Sequence, residues 1–452
     1  MTKRKILILG IILLMTLGIF VGCKGNISQT SEVPDELGDV KIGVITTEEL
    51  AEKINDTKVV VVDIRPESAY IGWQLENEAR GGHIKGAVDF PMAWASLVKE
   101  EELKGLLEKK GITPEKTVVV YDTKGEESEK MARLLVDMGY ENVLNYQDGL
   151  AAWAADKSLP MDKLARFEKL VHPEWIDQLI QGKKPSTYEG NEYKIFEVAW
   201  GEPTDYTKGH IPGAYYLDTN LLEEEPIWNR VSDEAIEAML LANGITHDTT
   251  VILYGQDTTP AARAASVMLY AGVKDVRILN GGYAAWVNAG FEEETGINVP
   301  EAVKSFGLEI PSNQKYIIDL EEAKDVLLDP KAELVSIRSW GEHIGETSGY
   351  SYITPKGRIK GDVWGHGGSD AYNMGDFRNV NNTMRNYHEI NGFWRDYGIT
   401  PDKGAYFYCG TGWRASEAFF AAYLMGWENI GVYDGGWYEW SMDEANPIVI
   451  GE

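Results

Sequence analysis

Cysteine is nearly absent from this chain: 452 residues hold two, Cys23 and Cys409. A disulfide framework needs several pairs, so the fold has to be held by its own apolar core. Histidine is scarce as well. Seven residues are scattered along the sequence, no Cys/His spacing predicts zinc, and neither a metal nor another cofactor is expected. Positive charge is also short. Lys and Arg number 43 against 71 Asp and Glu, a formal charge of −28, which excludes a nucleic-acid partner because no basic face would outweigh it. An anionic substrate would, by the same count, need a locally positive pocket. What is present is an ordinary globular composition, 44% hydrophobic and 11% aromatic, at a length that predicts about three domains.

The N-terminus reads as a targeting segment. Lys3, Arg4 and Lys5 precede an apolar run from Ile6 to Val21, which is short for a membrane span and suits an export signal over residues 1–22. Phe20-Val21-Gly22-Cys23 resembles a bacterial lipobox, with Phe20 in place of the usual leucine. The resemblance implies lipidation of Cys23, anchorage to the cell envelope, and a position facing the periplasm or exterior. The polar stretch over residues 23–40 is then a tether. With Cys23 lipidated, Cys409 is left as a single unpaired thiol in an exported protein.

Beyond the tether one pattern recurs three times. Gly-Ile-Thr at residues 111–113, 244–246 and 398–400 precedes the apolar runs 118–121, 251–254 and 405–408. The residues that follow these runs are Asp122, Gly255 and Cys409. Counted from each of them, a glycine stands at plus seventeen (Gly139, Gly272, Gly426) and another at plus twenty-seven (Gly149, Gly282, Gly436). A tryptophan closes each copy at plus thirty-one: Trp153, Trp286, Trp440. Gapless agreement of this kind marks tandem modules. Short apolar runs alternating with helical segments predict an α/β fold, each module a mostly parallel sheet flanked by helices. In the third copy a helix is predicted from Ser416 to Met425, with Phe419, Ala422 and Tyr423 on its apolar face and Gly426 ending it. Upstream, Gly82-His83-Ile84-Lys85-Gly86-Ala87, Gly209-His210-Ile211-Pro212-Gly213-Ala214 and Gly357-Arg358-Ile359-Lys360-Gly361 occupy one position. Boundaries are expected near 160 and 305, giving modules 41–160, 161–305 and 306–452.

Asp63-Ile64-Arg65, the Gly-His-Ile-x-Gly-Ala turn, a strand running into Cys409-Gly410-Thr411-Gly412-Trp413-Arg414 and the closing Gly-Gly-x-x-x-Trp resemble the rhodanese domain, and the third copy resembles the periplasmic three-domain branch of that family. The resemblance implies a sulfurtransferase. A catalytic Cys409 takes sulfur from a small anionic donor, thiosulfate, holds it as a persulfide and delivers it to a thiol or cyanide; 3-mercaptopyruvate is the alternative donor. It further implies that Gly410, Thr411, Gly412, Trp413, Arg414 and Arg338 surround the substrate. Arg338 has a second expected role, tying its strand to the neighbouring loop. A carrier that delivers only to a protein acceptor is a different reading.

The residues themselves point the same way. A glycine-rich loop between a buried strand and a helix aims its N–H groups at one spot, favouring an anion and a thiolate nucleophile. Arg414 is expected to add positive charge at the rim. Cysteine phosphatases share these parts, but only four residues separate Cys409 from Arg414, one fewer than in phosphatases of related fold, and the tighter ring suits sulfur better than phosphate. The first two copies carry no thiol, and Glu127 and Pro260 stand where Arg414 would be, so modules one and two are read as scaffold. Residues 373–385 are expected to form an ordered insertion near the third site.

Overall fold

The computed structural model describes residues 42–452. The export segment, the tether and Cys23 lie outside the described residues. Among the described residues no helix is long and apolar enough to cross a membrane.

Each repeat builds a five-stranded parallel sheet, and the strand order is the same in all three. In the third module Ile317–Ile318, Ile430–Tyr433, Gly404–Tyr408, Ala332–Ser336 and Val363–Trp364 lie side by side. The apolar runs become the central strands Thr117–Tyr121, Thr250–Tyr254 and Gly404–Tyr408. Helices cover both faces of a parallel sheet, which is why these runs are apolar throughout rather than alternating. The α/β expectation holds. Asp122, Gly255 and Cys409 therefore stand at the C-terminal ends of central strands, where such sheets open onto a crevice.

The other landmarks have structural tasks. Gly139, Gly272 and Gly426 follow helix ends with φ of 92°, 111° and 82°, the left-handed region that favours glycine. Trp153, Trp286 and Trp440 are buried, and each indole N–H donates to a carbonyl of its own module's tail, at Pro160, Glu292 and Pro447. Closing each module is thus a core function.

The helix predicted from Ser416 runs instead from Trp413 to Leu424, because Gly412, with φ of 87°, turns the chain straight into it. Nor does it have a single apolar face. Ala415, Ala418, Phe420 and Ala421 are buried along with Phe419 and Ala422, since the module-two helix Thr258–Ala271 covers the other side. Small residues let the two helices approach until Ser266 Oγ and Ser416 Oγ meet at 3.1 Å. Modules two and three consequently share one hydrophobic core, which also takes in Tyr70, Ile71 and Trp73 of module one; the other face of the third module's sheet has a core of its own, and the first module's sheet has one on each face.

The insertion is ordered and ties the modules together. Arg378 pairs with Asp257 of module two at 2.8 Å and with Glu417 at 2.7 Å, while Asn381 donates to Glu67 of module one at 2.6 Å.

Candidate active site

Two backbone hydrogen bonds aim the third-module loop. The carbonyls of Cys409 and Gly410 accept from Trp437 N–H at 2.7 Å and Tyr438 N–H at 3.0 Å, in the first turn of the helix Gly436–Met442. With the carbonyls turned outward, the N–H groups point inward. Those of Trp413, Arg414 and Ala415 open a helix and have no intrahelical acceptor.

Module one shows what such a ring holds. The Asp122 carboxylate, at the position of Cys409, accepts from the backbone N–H groups of Lys124 (2.9 Å), Gly125, Glu127 (2.6 Å) and Ser128 (3.3 Å). The same offsets in module three are Thr411, Gly412, Arg414 and Ala415. Module two has lost the device: Gly255 has no side chain, and Pro260 has no N–H to offer. Asp122→Ala is expected to leave sulfur transfer unchanged while lowering module-one stability by about 1–3 kcal/mol through the orphaned donors. Turnover and denaturant unfolding of the same variant check both halves. Gly255→Ala is no equivalent control, because a Cβ there would lie 2.5 Å from the Asp257 carbonyl oxygen.

Cys409 has no exposed surface, and its loop forms part of the wall of a cavity of about 510 Å³. Thr411, Trp413 and Arg414 line it from the loop. Tyr350, Tyr352 and Tyr372 line it from elsewhere in module three, and Trp200, Trp228 and Glu223 from module two. The Tyr350 ring lies against Gly410 so closely that a Cβ on Gly410 would run into it. Burial pushes the Tyr350 phenol well up, so it stays protonated.

Arg414 is in the wall, but not as a free charge at the rim. It is 3% exposed and forms a forked pair with Glu342, at 2.8 and 3.0 Å, and a further hydrogen bond to Tyr350 Oη at 3.1 Å. Burial alone would raise the Glu342 carboxyl; Arg414 and the Ser339 hydroxyl overcome that and hold it below the ordinary range. Arg338 is off the cavity wall. Its guanidinium lies between the Tyr408 and Trp437 rings and donates to Ser336 Oγ and the Gly357 carbonyl, tying strand to turn as Arg65 does through Gly82 in module one. Trp413 lines the cavity and donates its indole N–H to Glu223 at 2.8 Å. Burial drives the Glu223 carboxyl up to about 7 despite the neighbouring Arg263.

Electrostatically the cavity is not the positive pocket that composition asked for. Each charged group on its lining is already paired: Glu223 with Arg263, Asp257 with Arg378 and Arg414 with Glu342. Anion stabilisation comes from the N–H ring at Cys409 and the adjacent Arg414, and the outer wall is aromatic with two paired carboxylates. Glu342, Glu223 and the tryptophans Trp200 and Trp228 escaped the sequence reading. A Ser-x-x-Glu capping signal at Ser339 to Glu342 was visible, but it marks a helix start and not a site.

Comparison with known proteins agrees with this architecture. The rhodanese-like domain matches residues 46–156, 173–289 and 319–443. The thiosulfate sulfurtransferase YnjE of Escherichia coli (strain K12) is 45% identical over 394 residues, covering 86% of this chain and 89% of that protein. The sulfur carrier protein TtuD of Thermus thermophilus is 30% identical over 293 residues, 64% of this chain and 99% of its own. Among solved structures, EanB in complex with ergothioneine aligns with a TM-score of 0.88 at 41% identity, covering 91% of this chain and 99% of that one. Other EanB structures contain hercynine, or a cysteine persulfide in a tetrahedral intermediate state with ergothioneine.

Proposed function

This chain belongs to the rhodanese family, and on that footing we propose that Cys409 takes the outer sulfur of thiosulfate and passes it to an imidazole acceptor that carries a quaternary ammonium group, of the hercynine class. The chain is a sulfurtransferase that works through a cysteine persulfide. The observation that carries the assignment to Cys409 is the Asp122 carboxylate: the same loop, in the same protein, already holds an anion on its N–H ring.

The steps balance as follows. The Cys409 thiolate attacks the outer sulfur of thiosulfate, the S–S bond breaks and sulfite leaves. The persulfide anion then sits on the N–H groups of Thr411, Gly412, Arg414 and Ala415. The ring carbon of an imidazole acceptor bonds to the terminal sulfur, its C–H proton passes to solvent, the S–S bond breaks and Cys409 departs as thiolate. Tyr350, kept neutral by burial, packs its ring against Gly410 of the loop, while its hydroxyl accepts from Arg414 and donates to the Ala371 carbonyl. A thiosulfate or cyanide ion needs no 510 Å³ chamber of tryptophan and tyrosine. A quaternary ammonium does find favourable faces there, beside Glu223. A thiol or cyanide acceptor is the second reading, supported by the name of the E. coli relative.

The test has a pH signature. Glu223 is neutral below about pH 7 and ionised above it. Hercynine binding, followed by tryptophan fluorescence, should tighten by up to about tenfold from pH 6 to pH 8, and Glu223→Gln should flatten that dependence. The stability that the raised carboxyl contributes has the opposite sense, complete below its ordinary value of 4.5 and lost as pH rises through about 7. If hercynine neither binds nor discharges the loaded protein while cyanide does, the second reading replaces the first. Loading by mercaptopyruvate and not by thiosulfate would revise the donor.

A further inference from the structure

Modules one and two bury the histidine of their Gly-His-Ile turns in the same way. Nδ1 of His83 lies 2.8 Å from the Tyr70 carbonyl oxygen, and Nδ1 of His210 lies 2.8 Å from that of Tyr206. Each ring stacks on its own tyrosine, at 3.7 and 3.9 Å. A ring nitrogen facing a carbonyl has to carry the proton, so in both residues Nε2 is left with a lone pair. There the two modules diverge. Nε2 of His210 has Asn298 Nδ2 at 3.4 Å. Nε2 of His83, on a residue with 0% exposure, has no hydrogen-bond partner.

Two further ligand groups gather at His83. Asp162 is its partner in the antiparallel ladder that closes module one. His388 comes from the helix Tyr387–Asp396 of module three, and the two imidazoles meet edge to face at 5.6 Å. One donor atom from each of His83, Asp162 and His388 lies within 4.8 Å of the others. With Nδ1 engaged, Nε2 is the nitrogen that His83 offers.

We propose that His83, Asp162 and His388 bind a divalent transition-metal ion of the zinc class, bridging the first module to the third. Two imidazoles and one carboxylate are a borderline donor set, suited to zinc, cobalt or nickel and poorly suited to calcium or magnesium. Three protein ligands leave a fourth position, and the exposed His388 leaves an entry path. The outer shell is already built. His83 donates its other N–H to a carbonyl, the usual way in which a metal-bound imidazole is oriented. Asn386 couples both sides: its Oδ1 accepts from His388 N–H at 2.9 Å, and its Nδ2 donates at 2.9 Å to the hydroxyl of Tyr70, the ring on which His83 stacks. Zinc bonds of about 2.1 Å place tetrahedral donors roughly 3.4 Å apart, so closure asks for a shift on the order of 1 Å, within reach of the His388 side chain. The helix bearing His388 follows the insertion that supplies Met374 to the cavity, so the ion would pin one cavity wall to module one.

The experiment uses chelator-stripped, untagged full-length protein titrated with Zn²⁺ against a chromophoric competitor, and with Co²⁺ by visible absorption. One equivalent should bind, with no thiolate-to-cobalt charge-transfer band, and Cys409→Ser should bind equally well. His388→Ala, at an exposed position, and Asp162→Asn, whose backbone ladder is untouched, should each weaken binding by at least about tenfold. Zinc should raise the thermal midpoint of the wild type and not that of His388→Ala. Substoichiometric binding, affinity unchanged in both variants, or binding lost with Cys409→Ser would overturn the proposal. None of these readouts depends on sulfur transfer.

Discussion

Cys409→Ser protein exposed to thiosulfate should gain no sulfur, and its turnover should fall to background, a loss of at least about three orders of magnitude. The wild type should gain one sulfur atom, located by peptide mass mapping on the Cys409 peptide and removed again by acceptor. Serine keeps the shape of the site, so the N–H ring at Thr411 to Ala415 survives; what is lost is a sulfur nucleophile that can form an S–S bond. Cys409→Asp sharpens the result. It copies Asp122 of module one and should fold with its carboxylate seated on the ring, making a stable protein that cannot be loaded. Sulfur found on any other residue of the wild type, or full turnover by Cys409→Ser, would sink the mechanism.

Glu342→Ala should be the most destabilising change near the site, at about 3–5 kcal/mol, because it strands the buried Arg414 guanidinium without its partner. Arg414→Ala strands Glu342 in turn. It should also slow persulfide loading by roughly ten- to thousandfold, as removal of a charged group beside a developing anion does. Replacing both residues by methionine should recover most of the stability and none of the loading rate, which separates the structural role of the pair from its chemical one. The pair also has a pH sense. The Glu342 carboxyl is held below its ordinary value of 4.5, so its stabilisation is complete above that pH and disappears as pH falls through the depressed value. Urea unfolding at several pH values, monitored by module-three tryptophan, would measure it. A single-variant loss under about 1 kcal/mol would mean that water reaches Arg414 and that the pair is not buried in solution.

What could be read from the sequence was whatever repeats. The landmarks from Gly-Ile-Thr to the closing tryptophan keep fixed spacing because each belongs to one strand–loop–helix unit, and that fixed both the fold and the position of Cys409. Contacts made once leave no such trace. Arg414 reads as a free cation beside a cysteine, and nothing local reveals that Glu342, 72 residues earlier, neutralises it. The helix Trp413–Leu424 carries an apolar face in its periodicity, but its complete burial depends on a helix from another module. His83 and His388 stand in different modules, so no spacing rule would have paired them.

The cavity divides labour along the chain in a way that bears on how such a protein changes. Trp200, Trp228 and Glu223 belong to a module without a thiol, while the loop that carries Cys409 belongs to another. Selectivity can therefore drift through substitutions in module two with the nucleophile and its ring untouched, and one persulfide chemistry can be retargeted without being rebuilt. The shared core sets the limit on that freedom: the helix Thr258–Ala271 cannot be exchanged like a cassette, because it is also half of what the helix Trp413–Leu424 packs against.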